Sequence, residues 1–256
     1  MRWFMLLAYR GRAFHGWQIQ PDDISVQGRI EESLATLLRC QVPIVGAGRT
    51  DAGVNARMMV AHVDLPDGFN PADRRFILSL NSLCGPDIAI YSFTQVHAEA
   101  HARFDATERT YRYFVHSGKN PFTGDLSWQA PPSFNFDDMN RAAALLIGKR
   151  DFTSFSKLHT DTKTNICNLT RAQWIPMGGN RYYFEITADR FLRNMVRAVV
   201  GTLAIVGRGK MKPDEILNIL EKKDRCAAGT SMPAQPLFLW DIKYPYYNAT
   251  PSSLLP

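Results

Sequence analysis

The apolar residues of the first hundred positions recur at intervals that predict two helices among three strands. Val26, Ile30 and Leu34 are four residues apart, which is typical of one helix face, and Ser25 stands where an N-cap is expected. A cap residue followed by proline favours a helix start, so Asn70-Pro71 predicts the beginning of the second helix. This β-α-β-α-β order suits helices packed on one sheet. The expected strands run from Phe4 to a turn at Arg10-Gly11-Arg12, over Met58–Val63, and over Ile88–Val96.

The second half of the chain begins with a strand over Phe104–His116, in which Tyr111 and Tyr113 share one face. A hairpin is expected around Gly178-Gly179-Asn180. We therefore predict an α+β fold with two halves, residues 1–100 and 101–256. The other elements expected in the second half are helices over 137–146, 191–206 and from Lys212 to Leu220, hairpin strands over 168–174 and 181–187, and a last strand over Leu237–Tyr244.

Composition narrows the class of protein. With 256 residues, 45% hydrophobic and 21% charged, the chain resembles an ordinary globular protein that can form one large domain or two smaller ones. No apolar run approaches the roughly 20 residues of a membrane span. Lysine and arginine number 30 against 24 aspartates and glutamates, an excess that favours a polyanionic partner. Four widely spaced cysteines indicate reduced thiols, so we expect a cytoplasmic protein.

The segment Gly46–Ala56 is the strongest candidate for chemistry. Its three glycines allow the backbone to approach a ligand closely, and Asp51 carries its one negative charge between Arg49 and Arg57. A carboxylate among arginines stays ionised and can act as a nucleophile or a base. A tight connection in which Asp51 forms an Asx-turn explains the local pattern equally well. Neither the dinucleotide fingerprint nor the P-loop fits, because Asp51 replaces the required glycine and no Gly-Lys-Ser/Thr follows.

The stretch His97–His101 invites a metal interpretation, but it favours a turn. The spacing is not His-Glu-x-x-His, and the Pro-Cys-x-x-Cys partner of zinc deaminases is missing from the sequence. We therefore expect no metal and no cofactor.

Two other segments combine arginine with apolar or aromatic residues. Tyr111 and Tyr113 alternate with arginines on the expected strand, a pattern that suits either base stacking or a half-buried strand. On the expected helix over 191–206, the preceding Arg190 together with Arg193 and Arg197 falls on one face. An arginine at the border of an apolar face is costly without an acidic partner, and Asp51 is a candidate partner for Arg197.

Seven short segments, in order, make the sequence similar to one family, the TruA-type tRNA pseudouridine synthases. The resemblance covers almost the whole chain. The matching segments are Phe14–Gln20, Gly48–Val54, His101–Ala106, Arg109–Tyr113, Asp151–Phe155, Phe191–Arg197 and Ala228–Ala234.

The resemblance implies two α/β halves sharing an extended, mainly antiparallel sheet with a central cleft, and a homodimer. It implies isomerisation of uridine to pseudouridine at positions 38, 39 and 40 of the tRNA anticodon stem-loop. It assigns Asp51 as the catalytic aspartate, Tyr111 as the ring stacked on the target base and Arg197 as the ion-pair partner of Asp51. The residues expected to contact RNA are Arg49, Thr50, Asn55, Arg57, Arg103, Arg109, Arg190 and Arg193.

One departure from the family concerns Asn55, since the family usually has histidine there. Asparagine keeps a hydrogen-bonding group but carries no charge. The reaction route also stays open, because Asp51 could add to C6 of the base, attack C1′ or remove a proton from the sugar. Two other classes are weighed against the synthase. These are a catalytically silent RNA-binding protein and a carboxylate-dependent nuclease, which would want clustered acids for metal ions.

Overall fold

The chain divides into two compact units, each of which contains strands and helices. The computed structural model describes residues 1–157 and 164–248. The first unit contains Met1–Thr107 and the C-terminal residues from Leu239 onward, and the second contains Glu108–Phe238. The division made from the sequence at residue 100 does not provide for this return of the C-terminal segment. Within the described ranges, no helix has both the length and the apolar character that crossing a membrane requires.

The first unit packs two helices on antiparallel strands. The elements of this unit are β1 (Arg2–Tyr9), α1 (Val26–Leu38), β2 (Ile44–Gly46), β3 (Asn55–Asp64), α2 (Arg74–Cys84) and β4 (Ile88–Gln95). Strand β1 lies between β4 and β3, and β2 pairs with β3. The first helix is capped as expected, because the Ser25 side chain accepts a hydrogen bond from the Gly28 N–H.

The second helix begins later than the sequence predicted. Asn70 caps only a turn, accepting a hydrogen bond from the Ala72 N–H at 3.1 Å. Asp73 is the true N-cap of α2 and accepts a hydrogen bond from the Arg75 N–H at 3.2 Å. Asn70-Pro71 therefore begins a turn, and the predicted helix starts only at Arg74.

The second unit contains five strands and three helices among the described residues. They are β5 (Glu108–Ser117), β6 (Trp128–Ala130), α3 (Phe136–Ala144), β7 (Gly148–Asp151), β8 (Ile166–Gly178), β9 (Arg181–Ala188), α4 (Met195–Gly207) and α5 (Glu215–Lys222). The strands follow the antiparallel order β5-β9-β8-β7, and β6 pairs in parallel with β5. The predicted hairpin is confirmed, because β8 and β9 are joined through Gly179 and Asn180, two residues with positive φ.

The long helix of the second unit is shorter than predicted, and this changes the assignment of its arginines. Asn194 adopts φ 65° and donates from its side-chain amide to Ser231 Oγ at 2.5 Å, so α4 begins only at Met195. Arg190 and Arg193 precede the helix, and only Arg197 lies on it. The expected basic helix face is therefore wrong. Helical periodicity could not reveal a left-handed residue whose conformation is stabilised by a distant side chain.

The last strand, β10 (Leu237–Lys243), brings the end of the chain to the sheet of the first unit, where it lies next to β3. Two tyrosines that follow it pack on Phe4, with ring centroids 5.1 Å away for Tyr244 and 5.2 Å away for Tyr247. Ten strands and five helices are thus present in the described residues, and the α+β prediction is confirmed.

His62 on β3 connects this core to the turn that follows β4. The side chain is 7% exposed, its Nδ1 accepts the Ala102 N–H at 3.1 Å, and its ring lies 4.6 Å from that of His101. Burial lowers the pKa of His62 to about 4, and the nearby charge of Arg2 acts in the same direction. Between the folded pKa of about 4 and the unfolded pKa of 6.5, His62 is therefore neutral in the folded protein and protonated in the unfolded chain.

We predict that acid weakens the fold through His62. Its stabilising contribution is complete above its unfolded pKa of about 6.5 and is lost as the pH falls towards 4, which amounts to about 2 kcal/mol at pH 5. His62→Asn keeps an acceptor for the Ala102 N–H but does not titrate. Urea unfolding at pH 7.5 and pH 5 should show a smaller loss of unfolding free energy in the variant. An equal loss in both proteins would contradict this assignment.

Candidate active site

The loop that carries Asp51 is attached by its backbone to the segment following β1. The Trp17 N–H donates to the Thr50 carbonyl at 3.3 Å, and the Gly53 N–H donates to the Phe14 carbonyl at 3.3 Å. Within the loop, the Val54 N–H donates to the Asp51 carbonyl at 3.1 Å. Asp51 thus lies between two cross-links to a neighbouring segment. Its half-buried carboxylate is carried by a fixed backbone rather than by a mobile loop.

Glycines outside the loop make this attachment possible. Gly16 has φ 97°, and a Cβ there would lie 2.5 Å from the Thr50 carbonyl oxygen. A Cβ on Gly11 would lie 2.1 Å from the Val54 carbonyl oxygen. Any larger residue at either position would push the two segments apart. The sequence predicts only a turn at Gly11, because no local pattern indicates that this residue faces the Asp51 loop.

Two polar residues flanking Asp51 contribute to the same packing. Thr50 is 9% exposed, and its hydroxyl shares a 2.8 Å hydrogen bond with the Tyr9 hydroxyl. Asn55 is 2% exposed, and its Oδ1 accepts the Gly11 N–H at 2.8 Å. Asn55, which differs from the usual residue of the family, therefore has a definite role as an acceptor inside the fold. RNA contact by these two residues stays a prediction.

The arginines expected around Asp51 have different environments. Arg49 is exposed, whereas Arg57 is half-buried on β3 with its guanidinium 4.6 Å above the Trp240 ring. Arg103 is exposed on the turn after β4, 5.7 Å from the centroid of the Phe104 ring. A guanidinium over an aromatic face keeps its charge while its plane is held in place. The first unit thus contains arginines that are exposed, such as Arg49, and arginines whose guanidinium lies by a ring, such as Arg57.

In the second unit, Tyr111 lies on β5 opposite Ile186 of β9. Its ring is half-exposed and is met edge-on by Phe191, with centroids 5.1 Å apart at 85°. Tyr113 points to the same side of the strand but is fully buried, so burial raises its pKa. Arg109 precedes them and donates to the Asp189 carbonyl at 2.8 Å. Of the two tyrosines, Tyr111 alone can offer its ring to a ligand.

Arg197 lies in the first turn of α4 and is oriented by the segment Ala228–Ala234. Its Nε donates to the Met232 carbonyl at 2.6 Å, and the Met232 N–H donates back to the Arg197 carbonyl at 3.1 Å. Close packing makes this reach possible, since a Cβ on Gly201 would lie 1.8 Å from the Thr230 carbonyl oxygen. Phe191–Arg197 and Ala228–Ala234 both match family motifs in the sequence. The sequence does not indicate that the second segment positions Arg197 in the first.

The two units therefore carry different parts of the predicted site. The pairing of Asp51 with Arg197 joins residues of different units and stays a prediction. The first unit contains Arg49, Thr50, Asp51, Asn55, Arg57 and Arg103; the second contains Arg109, Tyr111, Arg190, Arg193 and Arg197.

The turn at His97–His101 forms as the sequence favoured, with the Ala100 N–H donating to the His97 carbonyl at 3.0 Å. His101 uses Nδ1 to accept the N–H groups of Arg103 and Phe104. Among the residues that the structure describes, no group of three or more histidine, cysteine, aspartate or glutamate side chains is arranged to hold a metal ion.

Comparison with known proteins identifies the family. A family model described as tRNA pseudouridine synthase matches residues 142–245. Proteins named tRNA pseudouridine synthase A are similar over nearly the full length. The one from Parabacteroides distasonis is 53% identical, covering 95% of this chain and 96% of its own. The one from Bacteroides thetaiotaomicron is 51% identical, covering 95% and 91%. The one from Bacillus subtilis is 38% identical, covering 95% and 99%. This chain therefore belongs to the tRNA pseudouridine synthase A family and has the pseudouridine synthase fold, and it is an isomerase.

Proposed function

We propose that this protein isomerises uridine to pseudouridine at positions 38, 39 and 40 of the tRNA anticodon stem-loop, with Asp51 as its catalytic group. The observation that carries the proposal is the near-full-length similarity to tRNA pseudouridine synthase A at 53% identity. The excess of six positive charges suits a polyanionic substrate. The protein would act in the cytoplasm as a homodimer.

The chemistry requires little more than one carboxylate and a place for the base. The C1′–N1 bond of uridine breaks, the uracil turns, and a C1′–C5 bond forms. The proton leaves C5 and N1 gains one, so the isomer has the same atoms and oxidation state. Asp51 can begin this sequence by attacking C6 or C1′ or by removing a sugar proton, and its cross-linked loop holds it in one position while the base turns.

The target base must leave the stack, which costs a few kcal/mol. The half-exposed ring of Tyr111 offers the surface that compensates for this cost, and Phe191 contacts the ring at its edge.

The proposal is tested by incubating the purified protein with unmodified tRNA, without added metal or cofactor. Pseudouridine is then mapped at each site of the tRNA. Tight tRNA binding without any pseudouridine would instead favour a silent RNA-binding protein.

Asp51→Asn should abolish pseudouridine formation, with a loss of at least about 100-fold in turnover, because the amide can neither attack nor accept a proton. The loop attachments use backbone atoms, so the melting temperature and tRNA affinity should change little. Asp67→Asn is a matched control, since the Asp67 side chain is 92% exposed in the same unit. Turnover of Asp51→Asn within tenfold of the wild type would exclude the catalytic role.

Tyr111→Ala should reduce turnover far more than Tyr111→Phe, because phenylalanine keeps the stacking face. Base–aromatic stacking contributes roughly 1–3 kcal/mol, so we expect a loss of about 5- to 150-fold for alanine. Single-turnover assays at saturating tRNA measure this difference. If the phenylalanine variant were as inactive as the alanine variant, the hydroxyl would have to take part in the reaction.

Arg197→Met should lower activity and stability together, since it removes both the guanidinium charge and the Nε donor of the Met232 carbonyl. Arg197→Lys should be intermediate because lysine lacks the planar fork. Arg193→Met is the control: Arg193 is exposed and precedes the helix, so its loss should mainly weaken tRNA binding. A double-mutant cycle with Asp51→Asn measures the predicted pairing, and strict additivity would exclude it.

A further inference from the structure

Phe104 is a large apolar side chain that the fold leaves in solvent. It lies on the turn after β4 and is 74% exposed. An aromatic ring at this exposure contributes little to the free energy of folding, since burial is what stabilises it. The ring belongs to the same first unit as the Asp51 loop, but neither the Asp51 chemistry nor the Tyr111 stacking role uses it.

The turn that presents Phe104 is rigidly built. The backbone N–H groups of five consecutive residues all donate hydrogen bonds. That of His101 goes to the Asp105 carboxylate and that of Ala102 to His62, while those of Arg103 and Phe104 both go to His101 Nδ1; the Asp105 N–H returns to the His101 carbonyl.

Two tyrosines from the C-terminal segment fasten this turn from the other side. The Tyr244 hydroxyl donates to the Ala102 carbonyl at 2.6 Å, and the Tyr246 hydroxyl donates to the Asp105 carboxylate at 2.5 Å. The hydrogen bond from Tyr246 lowers the pKa of Asp105, and burial lowers that of His101. Both groups therefore keep the charge states that the turn needs at neutral pH. The backbone that carries the Phe104 ring is thus fixed before any ligand binds.

The neighbours of the ring indicate what it binds. The His101 ring lies 4.2 Å from it at 31°, and the Arg103 guanidinium lies 5.7 Å from its centroid. Protein interfaces centre on extended apolar patches depleted of charge. Here a single ring lies beside a histidine and an arginine. An aromatic face beside an arginine matches a nucleobase with its phosphate.

From this geometry we propose that Phe104 is a stacking platform for an unpaired tRNA nucleobase other than the target uridine, with Arg103 on the adjoining phosphate. The inference rests on the proposed function only in taking tRNA as the ligand. A second ring on a fixed backbone would hold the anticodon loop in register while the target base leaves the stack. Binding energy at a base that does not react would then be used to position the one that does.

The test compares binding of unmodified tRNA to the full-length protein and its variants over a series of salt concentrations. Phe104→Ala should weaken binding by fivefold or more, with the salt dependence unchanged, because stacking releases no counterions. Phe104→Trp should bind at least as tightly as the wild type. Phe104→Leu is the matched control, since it keeps an apolar side chain without a π face, and it should behave like alanine. Arg103→Gln should lower the slope of log Kd against log salt by roughly 0.7–0.9.

Several results would overturn the inference. Two of them are tRNA binding by Phe104→Ala within twofold of the wild type and tRNA binding by Phe104→Leu equal to that of the wild type. The third is a lower molecular mass of Phe104→Ala by light scattering, because it would place the ring at an interface between two copies of the chain. The melting temperature of each Phe104 variant shows whether it is folded. It should equal that of the wild type, because the side chain is so exposed. If the wild type bound tRNA without forming pseudouridine, the proposed function would fail while the stacking result stood.

Discussion

The candidate active site depends on one close contact between two stretches of backbone. The segment following β1 and the loop carrying Asp51 exchange hydrogen bonds on both sides of that residue, from Trp17 to Thr50 and from Gly53 to Phe14. The contact exists only because Gly11 and Gly16 have no side chains to keep the segments apart. A catalytic carboxylate must be held within a fraction of an ångström of its working position. Backbone hydrogen bonds on both sides provide that without using the carboxylate itself.

The second unit repeats this device with different residues. Gly201 on α4 lets the helix touch the backbone at Thr230, and the same packing puts the Met232 carbonyl within reach of Arg197. In both units, a residue that the proposal assigns to chemistry is oriented by a contact that only glycine permits. Substitution of these glycines would disturb the site without altering any side chain that meets the substrate.

Two histidines of the first unit, His62 and His101, are held in the neutral form by the contacts that they make. His62 and His101 both use Nδ1 to accept backbone N–H groups, which requires them to be neutral, and burial lowers the pKa of each. The turn they support is therefore fixed at neutral pH and becomes less stable in acid. The arginines that remain at the surface can meet phosphate without disturbing this internal network.

The sequence by itself determined the local elements whose signals lie within a few residues. The Ser25 cap, the hairpin at Gly179 and Asn180 and the α+β order all follow from nearby patterns. The family resemblance also follows from short local segments, and the catalytic role of Asp51 is predicted from it. Only the tertiary structure decided where α4 begins, because Asn194 is held in a left-handed conformation with its side chain bonded to Ser231, 37 positions later. It also decided that Gly11 and Asn55 serve the Asp51 loop and that the C-terminal tyrosines fix the Phe104 turn. Such contacts join residues far apart in the chain, and periodicity and turn propensity carry no information about which distant backbone will lie against a given residue.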